Sequence, residues 1–120
     1  MTPFQIIAHN GRQIVIVDLS KTDPEQQLAA LPEAQKRIAS LPQKSVLLLT
    51  DVTNARYNTA SAAAMKEWAS KNTPFLKASA VVGAAGMLSI VLGTIRLITG
   101  RDIKSFDTRL EAMDWLITVN

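Results

Sequence analysis

The sequence predicts an α/β fold with a single open, mostly parallel sheet and an antiparallel edge hairpin. Three observations carry this expectation. Short apolar runs alternate with helical patterns along most of the chain, the signature of βαβ units. Asn10-Gly11 lies between the first two apolar runs and suits the positive φ angles of a two-residue hairpin turn. The runs IVIV at 14–17 and VLLL at 46–49 suit strands covered on both faces. The predicted order is β-β-α-β-α-β-α-β-α over residues 1–120, read as one domain with no linker, repeat or low-complexity tract.

The elements follow in order. Strands are predicted over Phe4 to Ala8 and Gln13 to Leu19. Asp23-Pro24-Glu25-Gln26 opens the first helix: Asp23 caps, Pro24 fits the first turn and Gln26 completes a capping box. Leu28, Leu31, Ala34 and Ile38 are predicted inward. A break or kink is predicted at Pro32, which has no N–H to donate, and Leu41-Pro42 ends the helix. Ser45 to Thr50 reads as a central parallel strand. Asn58 or Thr59 caps an alanine-rich helix over 59–72, stopped before Pro74, with Met65 and Trp68 on its buried stripe. Lys77 to Gly83 is the next strand. The turn Gly83-Ala84-Ala85-Gly86 leads into a helix over 86–99 that Gly100 stops. Ile103 to Phe106 is the last strand. Thr108-Arg109-Leu110-Glu111 opens the last helix as a capping box, with Leu110, Met113 and Ile117 inward.

Composition excludes more chemistry than it nominates. The chain is 48% hydrophobic and 19% charged, too apolar for intrinsic disorder. It has no cysteine and one histidine, His9. Disulfides, thiolate metal sites, a cysteine nucleophile and a histidine-rich metal centre are therefore out, and no metal or cofactor is expected. The net charge of +3 is spread evenly, and no basic run is interleaved with the two Trp, one Tyr and three Phe, so nucleic acid is not an expected partner. Residues 78–95 are 18 uncharged positions in a row, at the lower limit for a membrane span. Gly83, Gly86, Gly93, Ser79 and Ser89 interrupt them, and a buried strand turning into a buried helix is the better reading; no transmembrane segment is expected. The N-terminal stretch lacks a basic region followed by an apolar run, which predicts no secretory signal and a cytoplasmic location.

The polar stretch after the third strand is the main candidate site. Asp51, Thr53, Asn54, Arg56, Tyr57, Asn58 and Thr59 fall beyond the carboxyl end of a parallel strand, where open sheets bind ligands. They are expected to cluster at one end of the sheet, at least partly exposed. Hydrogen bonding of Asp51 and Asn58 to their own backbone would explain the same residues. A phospho-receiver domain needs an acidic pair after the first parallel strand and a lysine after the last; Asp18 stands alone and the last strand ends in Phe106-Asp107, so that reading fails. Gly83 to Gly86 is neither GxGxxG nor a P-loop and reads as a tight turn with close helix–sheet packing. The helix at 86–99 is apolar almost all round, with Met87, Ile90, Val91 and Leu97 among its contact residues, and is expected to lose water on more than one side. A second copy related by two-fold symmetry, the last helix, a lipid-like ligand, a membrane surface, or simply the rest of the chain could cover it. His9 is assigned no role, and Trp68 and Trp115 read as core or interface anchors.

The segments LLLTDVTNARY, KASAVVGAAGM and LITGRDIKSFDTRLEAMDWL resemble the SpoIIAA-like family of small bacterial proteins, related to STAS domains and likened to SEC14 lipid-binding domains. The resemblance spans about residues 12–118 and rests on T-D-V-T, A-S-A-V-V-G, G-R-D and F-D-T-x-x-E-A-x-D-W-L in combination. It implies a sheet with helices mainly on one face and no catalysis. STAS relatives dock protein partners, and some are switched by phosphorylation of a D-S-x-G serine. The corresponding stretch here is Tyr57-Asn58-Thr59-Ala60, without that motif; Thr59 and Ser61 are the hydroxyls at that helix start. SEC14-like relatives hold a lipid in an apolar cleft. The function expected is thus a non-enzymatic, dimeric interaction domain docking a protein through the loop at 51–59. The alternative is a carrier or sensor of an apolar small molecule beside the helix at 86–99.

Overall fold

The computed structural model describes residues 4–100 and 103–119, apart from the side chains of Met87, Leu88, Ile98 and Thr99. Strands β1 (Phe4–His9), β2 (Arg12–Asp18), β3 (Val46–Asp51), β4 (Leu76–Val82) and β5 (Ile103–Phe106) lie side by side in chain order. β1 runs antiparallel to β2, and the other pairs are parallel. Asn10 and Gly11, at φ 48° and 81°, close the hairpin with His9 opposite Arg12. Helices α1 (Pro24–Ile38), α2 (Thr59–Asn72) and α3 (Met87–Thr99) link successive parallel strands, and α4 (Arg109–Leu116) follows β5.

This order dictates the layers. Each parallel connection steps one strand further in the same direction. The right-handed crossover rule then puts α1, α2 and α3 on one face. Leu31, Ile38, Met65, Trp68, Val91 and Ile95 from these helices share a core with Val15, Val17, Leu48 and Val81. α4 covers the other face, where Ala112 and Leu116 meet Ile14, Ile16, Leu47, Leu49, Ala80 and Val82. Two-sided cover explains the unbroken apolar runs in β2 and β3. The uncharged stretch 78–95 divides between β4 and α3, and among the described residues no helix is long and apolar enough to cross a membrane.

Four local expectations need correction. α1 begins with the predicted Asp23–Gln26 capping box but runs through Pro32 to Ile38 without a break. The carbonyl that Pro32 leaves without a helical donor is that of Leu28, a residue 43% exposed, where water can replace the lost bond. The buried stripe of Gln27, Leu31, Ala34 and Ile38 holds both sides of the proline to the sheet. Leu28 is therefore not inward; Gln27 takes its place, fully buried, because its amide bonds carbonyls below the helix. In α4, Leu110 is 59% exposed and Ala112 and Leu116 are the buried residues; Arg109, anchored at the strand ends, sets the helix rotation. On α3, Val91, Leu92 and Ile95 are buried, whereas Ile90 is 72% and Leu97 88% exposed. Within the single chain, the described side chains of α3 bury one side, against α2 and the sheet. The Met87 side chain, and the Arg101 and Asp102 of the G-R-D motif, lie outside the described residues.

Pro32→Ala should stabilise the chain. It restores a helical N–H on an exposed face, where interior proline costs up to about 3 kcal/mol relative to alanine. A gain of about 1–2 kcal/mol in urea unfolding is expected, the remainder being offset by the freer unfolded chain.

Candidate functional site at the carboxyl rim of the sheet

β2 and β3 end in the same four-residue device. In Asp18-Leu19-Ser20-Lys21 the Ser20 backbone N–H and hydroxyl donate to Asp18 Oδ1 at 3.0 and 2.6 Å. In Asp51-Val52-Thr53-Asn54 the Thr53 N–H and hydroxyl donate to Asp51 Oδ1 at 3.0 and 2.7 Å. Leu19 and Val52 are both buried. Lys21 and Asn54 both turn left-handed, at φ 57° and 56°. Aspartate bonding the backbone two residues on is ordinary turn chemistry; its repetition on adjacent strands makes a paired structure.

The register sets Asp18 directly beside Asp51. Two carboxylates so placed repel. Arg109, the first residue of α4, satisfies both: its Nε donates to Asp51 Oδ2 at 2.7 Å, and its Nη2 lies 3.2 Å from Asp18 Oδ2. Asp51 is 6% exposed, so the expectation that it is partly open to solvent is corrected. Burial by itself pushes its carboxyl pKa up, but the hydroxyl and N–H of Thr53 and the Arg109 guanidinium outweigh that and hold it below the ordinary value. Burial works against the Arg109 charge, and the two aspartates more than restore it. Asp18 is thus not alone, as the sequence suggested. The acidic pair is nonetheless closed by an arginine, and among the described residues no group of three or more His, Asp or Glu could hold a metal ion.

The loop beyond this clamp is pinned by its backbone. Leu19 N–H donates to Asp51 O at 2.8 Å, Lys21 N–H to Thr53 O at 2.9 Å, and Arg56 N–H to Thr22 O at 2.9 Å. The Gln27 amide donates to Arg56 O at 2.8 Å, tying the loop to α1. Asn58 and Ser61 cap α2 reciprocally, which engages the buried Ser61 hydroxyl and leaves Thr59 exposed. Gly83, at φ +79°, presses on Thr53: a Cβ there would lie 2.7 Å from Thr53 Cα. On this frame Asn54, Arg56, Asn58 and Thr59 are exposed, and Thr53 and Tyr57 half-buried. Val52, Thr53, Asn54, Tyr57, Gly83 and Ala85 line a cleft of about 290 Å³ between the loop and the β4–α3 turn. Burial pushes the Tyr57 phenol pKa up, so it stays protonated, and its buried hydroxyl has no hydrogen-bond partner among the described residues.

The seven loop residues expected to gather at one end of the sheet do gather there. Asp18, Arg109 and Gln27 complete the arrangement and were missed. A findable signal existed for Asp18: Asp-x-Ser and Asp-x-Thr each follow an apolar strand. Nothing local marks Arg109, 58 positions from Asp51. His9 lies at the opposite end of the sheet, with Nε2 2.8 Å from Asp114 Oδ1.

No family model matches the sequence, and no curated protein matches it. The fold does have a solved counterpart. An uncharacterised protein of the DUF3478 family with a SpoIIAA-like fold, from Shewanella loihica, superposes with a TM-score of 0.71 at 17% identity, covering 94% of this chain and 91% of that one. This protein therefore has a SpoIIAA-like α/β fold.

Replacing Arg109 by Met should leave Asp51 buried without its partner and cost about 2–3 kcal/mol, less than the 3–5 of a fully buried pair because the arginine side chain is 36% exposed. The pH dependence has a definite sign. A carboxyl whose folded pKa is depressed contributes stability that is complete above its unfolded value, near 4, and is lost as pH falls through the folded value. The stability gap between wild type and Asp51→Asn, measured by urea unfolding, should therefore be constant near neutrality and shrink below about pH 4.

Proposed function

We propose that this protein is a non-enzymatic, STAS-like docking domain that engages a protein partner through the loop after β3. One observation carries the reading. At the rim Asp18, Asp51 and Arg109 are tied to one another in one ion-pair network of the scaffold, while Asn54, Arg56, Asn58 and Thr59 stand exposed on a backbone pinned by hydrogen bonds. Such a surface is preorganised for recognition, which lowers the ordering cost of binding. It offers no nucleophile–base pair. The reading requires no metal or cofactor and sets the domain in the cytoplasm, in keeping with a cysteine-free chain.

A second reading, carriage of an apolar small molecule, draws on the bare Ile90 and Leu97 of α3. Beneath that helix Leu48, Met65, Trp68, Leu92 and Ile95 line a cavity of about 30 Å³, and both amide atoms of the buried Asn72 beside it lack partners among the described residues. A space of that size suits a water or two; an acyl chain requires α3 to move away from the sheet. The carrier reading therefore ranks second.

A peptide display selection against the native protein tests the docking reading. Enriched peptides should lose at least about tenfold in affinity, the loss of one good hydrogen bond or more, with Asn54→Ala or Arg56→Ala and should bind Leu97→Asp unchanged. Peptides insensitive to both loop variants would overturn it. Native mass spectrometry of freshly purified protein separates the alternative: a co-purifying apolar mass that Leu97→Asp loses supports carriage, and its absence supports docking.

A further inference from the structure

The two edges of the sheet are treated differently by the sequence. β5 is four residues, IKSF, and carries Lys104; short length and an edge lysine are standard protection against strand pairing. β1 is six residues, FQIIAH, with no Lys, Arg, Asp, Glu or Pro. It bonds β2 on one side and forms the other border of the sheet. Ile6 on this edge is 48% exposed.

The hairpin geometry says which backbone groups face outward. In a two-residue hairpin the residues flanking the turn, here His9 and Arg12, exchange both hydrogen bonds, and bonded and non-bonded positions then alternate along the strand. His9, Ile7 and Gln5 thus direct their N–H and C=O groups to β2. Phe4, Ile6 and Ala8 direct theirs away from the sheet. Their side chains share the face of Val15 and Val17, where Ile6 borders a groove of about 260 Å³ with Val15, Leu41, Pro42 and Val46.

We propose that β1 is a self-pairing edge, and that two copies of this chain join antiparallel about a two-fold axis at Ile6, merging two five-stranded sheets into one continuous sheet. The occupant follows from self-complementarity. An axis at Ile6 sets Ile6 against the partner's Ile6 and Phe4 against the partner's Ala8, so the outward-facing residues meet one another and every outward group from Phe4 to Ala8 gains a partner. The exposed isoleucine falls at the centre, beside an apolar groove. No charge opposes the pairing within the strand. Arg37 lies 5.4 Å over the Phe4 ring at this edge; antiparallel pairing keeps the two Phe4 positions about 14 Å apart at roughly 3.4 Å per residue, beyond the screening length of about 8 Å in physiological salt. The rim loop and α3 stay clear of this contact, so the proposal stands apart from the docking reading.

Sedimentation equilibrium of the full chain tests it. Wild type should reach twice its 13.0 kDa mass with rising concentration. Ile6→Lys, which opposes two like charges across the axis, should weaken the dimer by about tenfold or more with unchanged circular dichroism and melting of the monomer. Leu97→Asp should dimerise as wild type does. The chain lacks cysteine, so Ile6→Cys gives an independent reading even where Ile6→Lys folds poorly. Directly bonded antiparallel pairs have Cα atoms about 5.5 Å apart, within disulfide range, and mild oxidation should yield covalent dimer, with Leu97→Cys as the uncoupled control. A wild type that stays monomeric, an Ile6→Lys variant that dimerises normally, or Ile6→Cys that cross-links no faster than Leu97→Cys would each overturn the proposal.

Discussion

Two carboxylates on neighbouring strands cannot share a partly buried rim without a cation between them, and this constraint organises the protein. The register of β2 and β3 fixes Asp18 beside Asp51. Each uses one oxygen to close its own turn and presents the other to Arg109. The helix that follows must therefore start at that point. α4 is only eight residues long, too short to be stable alone; Ala112 and Leu116 are buried, with Met113 and Trp115 packed partly buried beside them. Its position is fixed by polar bonds at both ends: Arg109 at the rim, and at the far end Asp114 to His9 with the Ile117 and Val119 carbonyls accepting from Arg12. A whole face of the sheet, from Ile14 to Val82, is covered through these anchors.

Strand order explains why the rim is a surface and not a deep crevice. In a doubly wound sheet the order reverses, adjacent connections leave toward opposite faces, and a crevice opens where they part. Here the order runs β1 to β5 without reversal, and α1, α2 and α3 leave toward one face. The loops after β2 and β3 meet side by side, and backbone bonds from Lys21 to Thr53 and from Arg56 to Thr22 close the space between them. The cleft that remains lies one strand further on, against the β4–α3 turn, where Gly83 allows the two backbones to touch.

Punctuation was legible in the sequence because it is local. Asn10-Gly11, the box at Asp23, the Asn58 and Thr108 caps and the Gly100 stop each depend on residues within one turn and stand where expected, although Asn58 forms a full box with Ser61 and Thr108 caps without the reciprocal bond of the expected box. Helix rotation was less legible. A hydrophobicity count favoured Leu28 and Leu110 as inward, but Gln27 has carbonyls to bond at the Thr22 and Arg56 positions, and Arg109 has two aspartates to reach. In both helices a polar side chain with a distant partner decides the rotation, and leucine is left outside. The loop after β3 was visible as a polar run; its role as half of a pair was not, since pairing depends on register. The apolar circumference of α3 suggested cover on several sides; among its described side chains the single chain covers Val91, Leu92 and Ile95 and leaves Ile90 and Leu97 bare.

These features divide the rim into two kinds of position. Asp18, Asp51, Arg109, Gln27 and Gly83 hold the frame through side-chain pairs or close approach, and each is tied to another element. Asn54, Arg56, Asn58 and Thr59 are exposed, and the loop's course past them is set largely by backbone bonds. Asn54 adds the left-handed turn, at φ 56°, that asparagine tolerates, and Asn58 adds the cap of α2. Arg56 and Thr59 carry no such duty: the Arg56 backbone N–H and carbonyl are both engaged, while its side chain is exposed. A side chain whose own backbone is held at both polar groups can be exchanged without loosening the loop. Side-chain exchange at Arg56 is thereby separated from folding, and the docking surface proposed above can be respecified there while the clamp beneath keeps its shape.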